Sequence, residues 1–250
     1  MSTEPAFILR SVNYKESDKI LTLFTRGMGK ISALARGARK SSKRFGGALE
    51  PFAVFEATFA RSRHGVGSMF TISEASVLES NDSLGSNLEK LGVAGFLLEL
   101  LREVAPEHDS SEALFDLGRG ALHLLSTDAT ANPRNVLFSA GLRILAQSGL
   151  AMGVTRCTAC GTAVPPNKSV FFDALRGGVV CTPCGGGPIL LSAEAAGALR
   201  FFQQHTVLES ASRDIDASVR TEMQSVFETF INVHLEKYLK TPLFMEQVTR

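Results

Sequence analysis

Lys30-Ile-Ser-Ala-Leu-Ala-Arg36-Gly-Ala-Arg-Lys40-Ser-Ser-Lys-Arg-Phe45 is the stretch on which the fold turns. It reads as a short strand running into a mobile loop interrupted by Gly and Ser and dense in cations. Similar strand patterns lie on either side, over residues 7–13 and 19–25 before it and residues 52–61 and 68–78 after it. Gly27-Met-Gly29, Gly46-Gly47 and Gly65-Val-Gly67 punctuate them where the chain must reverse. Five short strands in 80 residues predict a small barrel, and a charged loop after the third fits an OB-fold, whose sheet face and loops commonly bind single strands.

The charge of this stretch points to a ligand. Between Arg26 and Arg63 stand nine basic residues (Arg26, Lys30, Arg36, Arg39, Lys40, Lys43, Arg44, Arg61 and Arg63) against Glu50 and Glu56, a local net charge of +7 in a chain of net +1. Residues 1–80 carry +5 and residues 81–250 carry −4, so charge is segregated along the chain. A local cationic excess is an electrostatic footprint for a polyanion, because each phosphate contact releases condensed counterions. Lys30, Arg36, Arg39, Lys40, Lys43, Arg44, Arg61 and Arg63 are therefore the expected DNA-binding residues. The competing reading of such a run is a solvated surface, or gatekeeper charges beside a hydrophobic strand. The chain has no Trp and only Tyr14 and Tyr238, so base stacking is expected of Phe or Arg. Phe45 beside Arg44 is a candidate, whereas Phe55 and Phe59 are better placed in the barrel core.

After residue 81 the composition turns to Leu, Ala and Glu, and helices are expected over residues 88–105, 111–125 and 133–150, with a long last helix opened by Asp216. The expected organisation is multi-domain, β then α: an OB-fold nucleic-acid-binding domain over residues 1–80, and an α-helical domain over 81–250 carrying an inserted ribbon at 154–190. The 250 residues suffice for two cores, and 44% apolar against 20% charged residues excludes wholesale disorder. The first residues lack a signal-peptide pattern, and the most apolar run, 91–101, is too short to span a bilayer; a cytoplasmic protein is expected.

All four cysteines fall in two pairs, Cys157-Thr-Ala-Cys160 and Cys181-Thr-Pro-Cys184, each followed by a glycine, Gly161 or Gly185. Two such knuckles can present four thiolates tetrahedrally, with a hairpin between them, which reads as a zinc ribbon with a structural Zn2+ site; dithiol redox chemistry and disulfides are the alternatives. Four thiolates leave no open position for water, and His64, His108, His123, His205 and His234 stand at no ligand spacing, so catalytic zinc is not expected. Arg156, Lys168 and Arg176 near the ribbon read as solvated cations. Gly27-Met-Gly-Lys30 is a hairpin turn rather than a phosphate loop, and neither H-E-x-x-H nor G-x-S-x-G occurs. No enzyme is expected.

These residues together resemble the bacterial RecO family of recombination mediators. The resemblance rests on Leu9-Arg-Ser-Val-Asn-Tyr-Lys-Glu-Ser-Asp18, on Gly29 to Lys40 with Lys43-Arg-Phe-Gly-Gly-Ala-Leu-Glu-Pro-Phe52, on the Cys157 to Cys184 module and on His234-Leu-Glu-Lys-Tyr-Leu-Lys-Thr-Pro242. It implies binding of single- and double-stranded DNA and ATP-independent annealing of complementary strands. It also implies partnership with RecR, contact with the acidic C-terminal tail of single-strand binding protein, and help in loading RecA during gap and double-strand break repair, all at the nucleoid. From the residues alone, a zinc-ribbon RNA-binding or transcription-associated protein also stays open, although RNA recognition favours an aromatic sheet face. So does a cytosolic dithiol redox protein, which would need an accessible low-pKa thiol and no metal.

Overall fold

The computed structural model describes residues 2–61, 69–235 and 239. The expected strands at the start of the chain are β1 (Ser2–Tyr14), β2 (Asp18–Thr25), β3 (Gly29–Ala35), β4 (Val54–Arg61) and β5 (Phe70–Glu79), with a one-turn helix α1 (Ser42–Phe45) after the third. They close into a barrel in the order β1-β2-β3-β5-β4, with β4 back against β1. All pairs are antiparallel except β3 with β5. Closure removes free edges, and Ala6, Ile8, Leu21, Leu23, Ile31, Ala33, Phe55, Phe59 and Ile72 fill the interior. Phe45 joins them at 3% exposure, so it is a core residue and not a stacking platform: α1 turns its ring inward while Arg44 stays outside.

Strand β1 carries a bulge. Phe7 pairs with Phe24 and Ile8 with Leu23, but the next pair is Arg10 with Thr22, leaving Leu9 without a partner of its own. Such an extra residue changes which side chains share a face, because alternation has a period of two. Phe7 and Phe24 point outward on one side of the bulge, and Arg10, Val12 and Tyr14 share that outer face on the other.

Helices α2 (Leu88–Val104) and α3 (Glu112–Thr127) lie with the barrel in one compact unit that runs to Ala129. Asn87 caps α2 by accepting from the Lys90 amide at 3.0 Å, and Ser111 caps α3 by accepting from Leu114 at 3.3 Å. Phe115 of α3 stacks on Phe7 at 5.1 Å and stands 6.4 Å from Phe24 between ring centroids; all three are fully buried. The connector between the helices runs against the β2–β3 turn: the His108 amide donates to the Lys30 carbonyl at 3.0 Å. At Gly29, whose φ is +66°, an added Cβ would meet the Asp109 carbonyl oxygen, so only glycine fits that approach.

A second compact unit begins at Thr130. It contains α4 (Pro133–Gln147), strands β6 (Val170–Asp173), β7 (Gly178–Val180) and β8 (Ile189–Leu191), and helices α5 (Ala193–Gln204), α6 (Val207–Ala211) and α7 (Ala217–His234). The capping Asp216 accepts from the Ser218 amide, as expected of the last helix. Phe138 packs against Phe202 and Phe227 at the centre of the helices. Asn135 is fully buried but satisfied: its amide donates to the carbonyls of Ser210, Ala211 and Arg213, and its oxygen accepts from Arg220. The small sheet β7-β6-β8 is anchored to this body by Phe172 against Phe230 at 6.5 Å and by His234 Nε2 donating to the Ala174 carbonyl at 2.9 Å. Among the described residues, no helix is long and apolar enough to cross a membrane.

If apolar burial rather than surface charge joins α3 to the barrel, Phe115→Ala should lower the unfolding free energy by roughly 3–5 kcal/mol. Glu112→Gln, which removes an exposed partner 3.0 Å from Arg26, should change it by less than about 1 kcal/mol. Urea titrations of the two variants beside wild type check the contrast.

Candidate nucleic-acid interface and metal centre

The basic segment after β3 is built by hydrogen bonds to the hairpin that joins β1 and β2. Asp18 accepts from the Gly37 amide at 2.8 Å and from the Ser17 hydroxyl at 3.2 Å. Arg39 donates from its amide to the Ser17 carbonyl at 3.0 Å and from Nη1 to the Glu16 carbonyl at 3.2 Å. Arg44 folds back, Nη2 donating to the Arg36 carbonyl at 2.5 Å, with its guanidinium 5.1 Å from the centroid of Phe45. The Arg39 and Arg44 guanidiniums donate to neutral carbonyls, so these contacts orient them without cancelling their charge, and Arg36, Arg39, Lys40, Lys43 and Arg44 all remain exposed. Hydrogen bonds from Gly37, then Ser17, together with the charges of Lys15 and Arg36, hold the Asp18 carboxyl below its ordinary value of 3.8.

Not every expected residue joins this cluster. Lys30 is half-buried, and its Nζ donates to the Arg102 carbonyl at 2.8 Å in the last turn of α2, where a cation also meets the negative end of the helix dipole. Arg61 ends β4, with its side chain outside the described residues, and Arg63 lies outside them altogether. Lys15, unmarked by sequence, sits exposed at the hairpin tip, its Nζ 5.4 Å from the Tyr14 ring. Its signal was a cation at the turn preceding β2, a place that acquires meaning only once Arg39 ties that turn to the basic loop.

The four cysteine sulfurs come together in the second unit, all within 4.8 Å of one another. Gly161 at φ +73° and Gly185 at φ +93° turn the chain after each pair, and the Gly161 amide donates to the Cys157 carbonyl at 2.9 Å. Two thiolates on one ion at about 2.3 Å stand roughly 3.8 Å apart in a tetrahedron; Cys160 and Cys181 are 3.7 Å apart. The Cys181 amide donates to Cys157 Sγ at 3.4 Å and, with the Cys160 amide, lowers the Cys157 thiol to about 6. Contacts with Cys181 and Cys160 push Cys184 up to about 12, because adjacent sulfurs cannot all lose protons unaided. A cation at their centre would replace those protons, and the four residues can hold a metal ion. Cys157, held at about 6, is only 2% exposed, whereas Cys160 is exposed, its thiol lowered by the Thr162 hydroxyl and amide.

Comparison with known proteins covers the chain in two parts. The family model described as recombination protein O N terminal matches residues 1–81, and that described as recombination protein O C terminal matches residues 85–242. A DNA repair protein RecO from Anaeromyxobacter sp. (strain Fw109-5) is 38% identical over 246 residues, covering 96% of this chain and 94% of that protein. The DNA repair protein RecO of Myxococcus xanthus (strain DK1622) is 33% identical over 248 residues, 98% and 97% of the two chains. That of Desulfosudis oleivorans is 32% identical over 256 residues, again 98% and 97%.

The anchoring of the basic loop has a pH limit with a definite sign. A carboxylate whose folded pKa is depressed stabilises the fold above its unfolded value and loses that contribution as pH falls through the folded one. The midpoint of the pH-dependent movement of the Gly37 amide resonance should therefore lie below the ordinary aspartate value of 3.8. A proton–nitrogen correlation series against pH reads this directly, and in Asp18→Asn the movement should vanish.

Proposed function

The chain belongs to the RecO family of DNA repair proteins, and from that footing we propose that it is a non-enzymatic, DNA-binding recombination mediator. It anneals complementary single strands without ATP and, with RecR, helps load RecA onto DNA coated by single-strand binding protein in gap and double-strand break repair, in the cytoplasm at the nucleoid. The observation that carries the reading is the cluster of five exposed cations on one hydrogen-bonded loop at the end of a closed barrel. Two complementary strands repel through their phosphates. A cationic loop that replaces condensed counterions lowers that repulsion without reading sequence, so strands meet and base pairing supplies the selectivity.

The ribbon is proposed to bind one structural Zn2+, which fixes β6 and β7 relative to the knuckles and takes no part in chemistry. The acidic tail of single-strand binding protein is assigned to the domain after residue 81. The cleft of about 580 Å³ between Pro166, Ala193, Gly197 and Arg213 is unsuited to it, because Glu194, Asp214 and Asp216 also line that space.

Purified protein should carry one zinc per chain by elemental analysis. Cys157→Ser or Cys181→Ser should release it and lower the melting of the ribbon-bearing unit while the Phe7–Phe24–Phe115 cluster stays folded. Metal-free protein of unchanged stability would contradict the assignment.

For the DNA site, Arg39, Lys40, Lys43 and Arg44 replaced together by Ala should flatten the dependence of log K on log salt for single strands by up to about 2.8, at roughly 0.7 per phosphate contact. Annealing of strands coated with single-strand binding protein, measured without ATP, should fall in parallel, and an excess of acidic tail peptide should slow it only on coated strands. An unchanged slope and affinity would place the DNA site elsewhere.

A further inference from the structure

The outer face of β1 and β2 beyond the bulge carries side chains that the packing of the barrel does not use. Arg10 pairs with Thr22, Val12 with Ile20 and Tyr14 with Asp18, and directly opposed residues of an antiparallel pair project to the same side. Ile20 and Thr22 pair onward with Leu34 and Ser32 of β3, so the face continues across three strands. Val12 is 44% exposed and Tyr14 42%, both large apolar side chains open to solvent.

Two features turn this patch from incidental surface into a site. Its cations are Arg10 and Lys15, both exposed, with the Lys15 ammonium over the Tyr14 ring. It also adjoins the basic loop: Asp18, on the Tyr14 side of the hairpin, holds the Gly37 amide, and Arg39 holds the hairpin turn. An open aromatic ring between phosphate-seeking cations has the complementarity of an unpaired nucleotide, which offers a π-face and an anion one bond chain apart. A duplex offers the anion but keeps its bases stacked.

We propose that Tyr14, with Val12 beside it, is the platform on which a base of single-stranded DNA stacks, while Arg10, Lys15 and the basic loop take the flanking phosphates. The proposal deepens the DNA-binding reading above and rests on it. It makes the two strand types unequal ligands: single strands gain from ring and cations, duplexes from cations alone.

The chain is suited to a direct test, having no Trp and only two Tyr. In Tyr238→Phe, emission near the tyrosine maximum reports Tyr14 alone, and titration with an oligo-dT should quench it at the same protein-to-DNA ratio at which anisotropy of a labelled strand saturates. Tyr14→Ala should weaken oligo-dT binding by roughly tenfold, with an unchanged salt slope, and duplex binding by less than about twofold; Tyr14→Phe should retain most of the affinity. Binding without quenching, together with wild-type affinity in Tyr14→Ala, would overturn the platform and leave the face to a protein partner, while the phosphate-binding loop stood. Failure of the wild-type chain to bind any oligonucleotide would overturn both.

Discussion

The middle of β1 is apolar on both faces, with Ala6, Phe7, Ile8 and Leu9 all at 7% exposure or less. A strand of a closed barrel can bury only one face in its own interior, so the other demands cover from outside. Helices α2 and α3 supply it through Leu101 and Phe115, which reach Phe7 around the small side of Gly118. Family similarity divides the chain between residues 81 and 85, where the barrel ends, but compactness divides it after Ala129. The difference follows from that doubly apolar strand: the barrel is complete in its hydrogen bonds by residue 79 and incomplete in its burial until α3 is in place.

The same cover decides where a ligand can lie. Helices occupy the outer face at the Phe7 and Phe24 end, so what remains open is the far end, where the β1–β2 turn and the loop after β3 bind each other. Arg39 and Arg44 in that corner are oriented by carbonyl oxygens. A carbonyl fixes a guanidinium at modest energetic gain and leaves its charge available, whereas a carboxylate would fix it and neutralise it. Arg26 shows the opposite arrangement: it lies between Glu112 and Asp116, and its charge is directed to α3. A count of basic residues along the segment cannot separate these two fates.

The barrel was legible because Gly27-Met-Gly29 marks the β2–β3 turn and Gly46-Gly47 precedes β4, while Gly65-Val-Gly67 lies outside the described residues; the cysteine cluster was legible because its four residues carry their geometry in their spacing. The cap of the last helix at Asp216 was legible for the same local reason. What sequence hid depends on distant contacts. Lys30 looks like its basic neighbours until its ammonium is seen on a carbonyl 72 residues away. Phe45 follows Lys43 and Arg44 in the chain but faces the other way, because one turn of helix rotates it into the core. Helix α6 was missed although Thr206 and Glu209 form a capping box, a four-residue signal easily lost before a helix of one turn. The scarcity of tyrosine drew attention to phenylalanine, when Phe45, Phe55, Phe59 and Phe70 lie in the barrel core, Phe7 and Phe24 are covered by α3, and the exposed ring at the far end is Tyr14.

Leu9 acts as a change of phase. Up to Ile8, odd-numbered residues of β1 look outward; from Arg10 onward, even-numbered ones do. Had the strand kept strict alternation, Ser11 and Asn13 would occupy the outer face, and Arg10, Val12 and Tyr14 would turn away from the basic loop. The length of the segment between Ile8 and Arg10 therefore matters more than its chemistry. Loss of one residue there leaves every cation of the loop unchanged while inverting the outer face that β1 sets beside them. Substitutions along this strand change single side chains; an insertion or deletion at the bulge exchanges the two sides of the sheet at once.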